Sequence, residues 1–147
     1  MKEGILVVCV DRDNDLGEKA GAEGPILGRE ANLEAAKRLA VADPSDSDAN
    51  CLFGAIREYD ELKAAGRKVS IATLTGDSRG GTTSDEKIQE QLDVAIEEYH
   101  PKKAVFVSDG AEDELIIPVV QSKLPIVSVR RIVVKQSTNL ESGYYMV

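Results

Sequence analysis

The chain has 147 residues, 42% of them hydrophobic and 30% charged, enough for one domain whose single core buries about two-thirds of the unfolded surface. Its formal charge of −8 repels nucleic acid and anionic membrane, and favours a cation or a metal-bridged anion as partner. Cys9 and Cys51 have no companion at zinc spacing and read as reduced core residues. The first apolar stretch, Ile5 to Val10, lacks the length and cleavage site of a secretion signal. No stretch reaches the roughly twenty apolar residues of a membrane span. A soluble, cytoplasmic chain is the expectation.

In chain order, Ile5–Val10 reads as a strand buried on both faces, because it is short, continuous and β-branched. The loop that follows, with Gly17, Gly21, Gly24 and Gly28, reads either as a mobile lid or as a plain flexible connection. A helix is predicted from Arg29 to Ala42 and stopped at Asp43-Pro44, since the residue before proline avoids helical geometry. Leu52, Ile56, Tyr59 and Leu62 recur at helical spacing after a cap at Ser47, and Gly66 ends that helix. Val69–Leu74 is the second strand. Ile88, Leu92, Ala95, Ile96 and Tyr99 mark a helix after Ser84.

Ala104–Val107 is the third strand and Ile126–Val129 the fourth. Between them, Asp113–Lys123 is helical in pattern but contains Pro118, which requires a kink or a later start. Ile132-Val-Val134 either continues the fourth strand or forms a fifth, at the edge. This order predicts an α/β fold: a three-layer Rossmann-like domain over residues 1–147, with a mainly parallel sheet of four to five strands.

Ligands of open parallel sheets bind beyond the carboxyl ends of the strands, where the strand order reverses. There the sequence places Asp11-Arg-Asp-Asn-Asp15, then Thr75-Gly-Asp77-Ser-Arg-Gly-Gly81, then Ser108-Asp109-Gly-Ala-Glu112-Asp-Glu114. With the first strand central, Asp11, Asp77 and Asp109 converge. Like charges that close strain the fold unless a cation lies between them, and Mg²⁺ or Mn²⁺ fits oxygen ligands of this kind. Asp13 and Asp15, two residues apart, suit joint ligation. The competing reading is that these acids cap helices and decorate turns.

Gly76, Ser78, Arg79 and Gly80 lie between a strand and a helix, where backbone amides hold phosphate, although the Gly-Lys-Ser/Thr ending of a Walker loop is absent. Arg130, Arg131 and Lys135 offer cations for an anionic ligand, or ordinary pairing with surface carboxylates. His100 precedes Pro101 in a turn at the wrong end of the sheet for catalysis, which disfavours serine–histidine or cysteine–histidine hydrolysis.

The stretches Asp11-Arg-Asp-Asn-Asp-Leu-Gly17, Gly28-Arg-Glu-Ala-Asn32, Asp43-Pro-Ser-Asp-Ser-Asp-Ala-Asn50, Tyr59-Asp-Glu-Leu62, Ser108-Asp-Gly-Ala-Glu-Asp-Glu114 and Val129-Arg-Arg-Ile-Val-Val-Lys-Gln136 resemble a domain-of-unknown-function family of archaeal, predicted membrane proteins. The resemblance implies a cytoplasmic fragment of a longer membrane-attached protein and carries no established activity. A fainter similarity is to haloacid-dehalogenase-type phosphatases. It implies Asp11 and Asp13 as the catalytic pair, Thr75 as a phosphate-binding hydroxyl, and Asp109 with Asp113 as metal acids. Asp15 departs from that pattern, and Lys102 and Lys103 are weak matches to its lysine. A Toprim-type site fits less well, because it wants a glutamate after the first strand.

Two functions follow as expectations. One is a metal-assisted site for a phosphate-bearing small molecule, a phosphohydrolase or phosphotransferase. The other is a non-enzymatic cytoplasmic ligand-sensing or assembly domain of a membrane protein, whose exposed apolar helix faces allow a homo-oligomer.

Overall fold

A computed structural model describes residues 4–133. The elements are β1 (Ile5–Asp11), α1 (Asp15–Ala20), β2 (Ile26–Leu27), α2 (Arg29–Ala42), α3 (Ser47–Ala64), β3 (Val69–Thr75), α4 (Gly81–Tyr99), β4 (Lys103–Ser108), α5 (Asp113–Gln121) and β5 (Ile126–Arg131). They build one five-stranded sheet in the order β2-β3-β1-β4-β5. β1 lies in its middle, parallel to β3 with Asp11 opposite Thr75, and parallel to β4 with Ile5 opposite Lys103. Parallel β5 and antiparallel β2 form the edges. The expected α/β, mainly parallel, three-layer architecture is the one adopted.

The period of two along a strand divides the core. From β1, Val7 and Cys9 join Leu16, Leu39, Leu52 and Ile56 beneath α1, α2 and α3. Leu6 and Val8 point the other way, joining Ile88, Leu92, Phe106, Ile116 and Val120 beneath α4 and α5. A strand covered on both faces has no polar side to show, which is why β1 reads as an unbroken apolar run.

The glycine-bearing loop is more ordered than its composition suggests. It folds into α1, capped by Asn14, whose side chain accepts from the Gly17 amide, and into β2, which is the fifth strand in place of Ile132-Val-Val134. Tertiary bonds hold it. The Gly24 amide donates to Thr75 Oγ1 at 2.7 Å, the Gly28 amide to the Ile71 carbonyl at 2.9 Å, and Asn32 Nδ2 to the Ile26 carbonyl at 3.0 Å. A two-residue strand has no periodicity, so only these long-range bonds reveal it.

Other boundaries shift by a few residues. Asp46, not Ser47, caps α3. α4 begins at Gly81, and Ser84 lies inside it, tying the strand-end turns together: its hydroxyl donates to the Arg12 carbonyl at 2.6 Å and accepts from the Asp77 amide at 3.0 Å. α5 keeps Pro118 within it. β5 runs on to Arg131; Ile132, just past it, still donates its amide to the Ser108 carbonyl at 2.7 Å, and Val134 lies beyond the described residues.

Candidate functional site

β1 ends in Asp11, a buried residue whose carboxylate is held by the turn behind it. Oδ1 accepts from the Asp15 amide at 3.1 Å and Oδ2 from the Leu16 amide at 2.8 Å, so the first turn of α1 fixes the side chain. Asn14 makes this turn possible by taking φ 63°, a left-handed geometry that asparagine tolerates better than most residues. Across the gap, α3 starts with Asp46 as cap and Asp48 in its first turn. One carboxylate oxygen from each of Asp11, Asp13, Asp15 and Asp48 lies within 4.8 Å of the other three.

This crowding has an electrostatic signature. Burial, offset by the two backbone amides and reinforced by Asp13, pushes Asp11 up to about 7. Burial and then the charge of Asp11 push Asp48 up to about 10. Asp15 is also raised, first by burial. Asp46 goes the other way: burial raises it, but Lys19 Nζ at 2.7 Å, the Asp48 amide and Asp15 together outweigh that and leave it a lowered carboxyl. The group therefore holds more carboxylate charge than its surroundings neutralise.

The acids line a cavity of about 200 Å³ shared by Arg12, Asp13, Asp15, Asp46, Asp48 and Asp109, with Cys51 and Ile116 as part of its apolar wall. Cys51 and Cys9 are both free and buried, as expected of core thiols. Asp109 belongs to the cavity but not to the cluster of four. Its carboxylate accepts from Ser47 Oγ at 2.7 Å and from the Ala111 amide at 2.9 Å.

The remaining sequence candidates lie elsewhere. Asp77 stands on the β3 side of the rim, where the Arg79 guanidinium at 2.9 Å holds it well below the usual carboxylate range. Asp113 is buried against Ser108 Oγ at 3.0 Å and Arg131 Nε at 3.1 Å, and its Oδ1 has no hydrogen-bond partner among the described residues. Thr75 spends its hydroxyl on Gly24, and its backbone amide and carbonyl on Gln91. The Gly76 amide donates to the Asp11 carbonyl. Ser78 is exposed and Gly80 caps α4; none of this group lines the cavity. Arg130 faces Glu58 at 3.6 Å, and Lys135 lies outside the described residues.

Sequence reasoning missed Asp48, Asp46 and Arg12. A signal was present in Asp43-Pro-Ser-Asp-Ser-Asp48, an acidic run at a helix start, but such runs are ordinary caps. Only the packing of α3 against β1 turns this one toward Asp11.

Residues 4–147 match the family described as a domain of unknown function, DUF373. The chain belongs to that family. An uncharacterized protein of Archaeoglobus fulgidus is 47% identical over 142 residues, which cover 97% of this chain and 41% of that protein. Uncharacterized protein MJ1032 of Methanocaldococcus jannaschii is 47% identical over 153 residues, covering 99% and 41% respectively. The chain thus spans about two-fifths of the length of the curated relatives it matches. No solved structure matches it. The expected kinship with an archaeal family of unknown function is met. Among the described residues no helix is long and apolar enough to cross a membrane. Lys102 and Lys103 stand at the amino end of β4, on the opposite rim from Asp11, where the phosphatase pattern has no use for them.

Proposed function

We propose that the cavity between β1, α3 and β4 binds a divalent cation, Mg²⁺ or Mn²⁺, and through it a phosphate-bearing small molecule. The observation that carries this reading is the meeting of Asp11, Asp13, Asp15 and Asp48 within 4.8 Å, with Asp11 displaced upward by burial and Asp13, and Asp48 by burial and the charge of Asp11. A hard cation is the group that relieves both effects at once, because it neutralises charge and completes oxygen coordination. When bound, it would polarise a phosphoryl oxygen.

Within this reading the two expected catalytic aspartates differ in role. Asp11 is buried, with both oxygens held by backbone amides, which suits a fixed ligand better than an attacking nucleophile. Asp13 is exposed and free to accept a proton from water attacking the phosphorus, the leaving oxygen departing with the other product. Hydrolysis by water therefore fits better than a phosphoaspartyl intermediate.

Calorimetric titration with Mg²⁺, Mn²⁺ and Ca²⁺ tests the premise, and the absence of saturable heat with all three removes it. A panel of phosphate esters and nucleotides with Mn²⁺ then tests turnover, with Asp13→Asn as the inactive control.

A second reading is favoured by the chain's share of its relatives, about two-fifths of their length. Here the same pocket binds a ligand without turnover, as a cytoplasmic sensing or assembly domain of a longer membrane-attached parent. Ligand-dependent heat without product, and a longer relative that sediments with membranes, would favour it over the enzyme.

A further inference from the structure

Among the described residues Arg12 is the one cation lining the acidic cavity, and its guanidinium is poorly matched by its neighbours. The side chain is 13% exposed, with Nε 3.3 Å from Asp85 Oδ1 and Nη1 3.5 Å from Glu112 Oε1. Arginine–carboxylate bonds close at about 2.7–2.9 Å, so both contacts are long, and they engage two of the five donors a guanidinium offers. Glu112 is the weaker partner. It is 47% exposed and caps α5 by its backbone alone, with no side-chain cap bond, so its carboxylate can leave without disturbing the helix.

The amino end of α4, itself outside the cavity lining, stands beside Arg12 and sets Asp85 against its Nε. Its cap is Gly80, which offers no side-chain acceptor, and its first turn contains no acid. A Cβ at Gly80 would lie 4.0 Å from Arg12 Nη1. Helix amino termini carry a partial positive charge, so guanidinium and helix end reinforce one another.

We infer that Arg12 forms the anion subsite of this cavity: it takes the oxyanion of a phosphate group bound to the cation, giving up Glu112 as it does so. The inference rests on the cation-binding reading above. Without the ion, the negative charge of the other acids lining the cavity repels an anion. With it, the oxyanion lies between two positive poles, the ion on the carboxylate side and the planar guanidinium fork on the other. Binding is therefore ordered, cation first, and the two ligands strengthen one another by equal factors.

The test is calorimetry on the full chain with Mn²⁺ alone, inorganic phosphate alone, and phosphate at saturating Mn²⁺. Wild type, Arg12→Gln and Glu112→Gln are compared, each checked for native circular dichroism. Phosphate binds the wild type only with Mn²⁺ present. Arg12→Gln keeps its Mn²⁺ affinity but loses phosphate affinity by about tenfold or more, whereas Glu112→Gln gains phosphate affinity because a competitor for Nη1 is gone. Equal phosphate affinity in wild type and Arg12→Gln overturns the inference, as does weaker phosphate binding by Glu112→Gln. If Arg12→Gln does not fold, the exposed Glu112→Gln decides the matter alone. A wild type that takes up no Mn²⁺ fails earlier, at the cation step, and overturns both readings; normal Mn²⁺ uptake without the phosphate differences overturns only this one.

Discussion

Asp11, at the end of β1, and Asp48, in the first turn of α3, bring carboxylate oxygens within 4.8 Å of each other across the mouth of the sheet. Burial raises the proton affinity of both, and the charge of Asp11 raises that of Asp48 further, so stability depends on pH with a definite sign. In the unfolded chain both acids lose their protons near 3.8; in the fold Asp11 does so near 7 and Asp48 near 10. Between those values the folded state holds more protons than the unfolded one, so stability falls as pH rises. Thermal melting in chelator is expected to show Tm declining from about pH 5 to about pH 9. A flat or rising curve would count against the burial of this pair.

On the proposed reading, a divalent cation takes the place of those protons. The rise in Tm caused by millimolar Mg²⁺ or Mn²⁺ is therefore expected to grow with pH across the same range. Melting curves with and without metal at three pH values check this, and a gain that shrinks with pH would contradict it.

Neutralising the two acids has opposite consequences. Asp48→Asn removes a carboxyl that at pH 8 the fold keeps protonated and the unfolded chain does not, so the metal-free protein gains stability, about 2–4 °C in Tm for each kcal/mol at this chain length. Asp11→Asn places an amide donor against the Asp15 and Leu16 amides and leaves one of them without an acceptor, a loss of about 1–3 kcal/mol. Urea denaturation at pH 8 in chelator distinguishes them by sign. On the proposed reading, both substitutions are expected to weaken Mn²⁺ binding, as calorimetric titration would show.

Gly76 has a steric duty. A Cβ there would overlap the Arg12 carbonyl and Ser84 Oγ, and the carbonyl belongs to backbone that cannot swing aside. Gly76→Ala is expected to destabilise the fold by about 1–3 kcal/mol and to displace the turn carrying Arg12 and Asp13. Denaturant midpoints and Mn²⁺ titration should fall together; a neutral effect on both would refute the crowding.

Asn32 ties the edge strand to the core, with Nδ2 on the Ile26 and Gly28 carbonyls and Oδ1 accepting from the buried Thr73 hydroxyl. Asn32→Leu strands these buried groups at about 1–3 kcal/mol for each one left unpaired. Hydrogen exchange is expected to speed up first at residues 24–28, ahead of β1 and β4.

Much of this architecture was written locally. The apolar runs of β1, β3, β4 and β5 are legible because strands buried on both faces must be continuously hydrophobic, and the periodicities of α3 and α4 because one face of each meets the sheet. Asp11, Asp13 and Asp15 were legible as a group because they follow a strand immediately and so share its end. β2 was not, since two residues carry no period.

The sequence by itself determined the layered fold, the acidic end of β1 and the excess of negative charge, all of which depend on neighbours a few positions apart. The tertiary structure decided which acids share a cavity. It brought Asp48 in with α3, left Asp77 with Arg79 on the far side of the rim, and set Arg12 in the cavity lining beside Asp85 and Glu112. Such selection depends on how helices cross the sheet, and Coulomb forces act through distances in space that chain position does not encode.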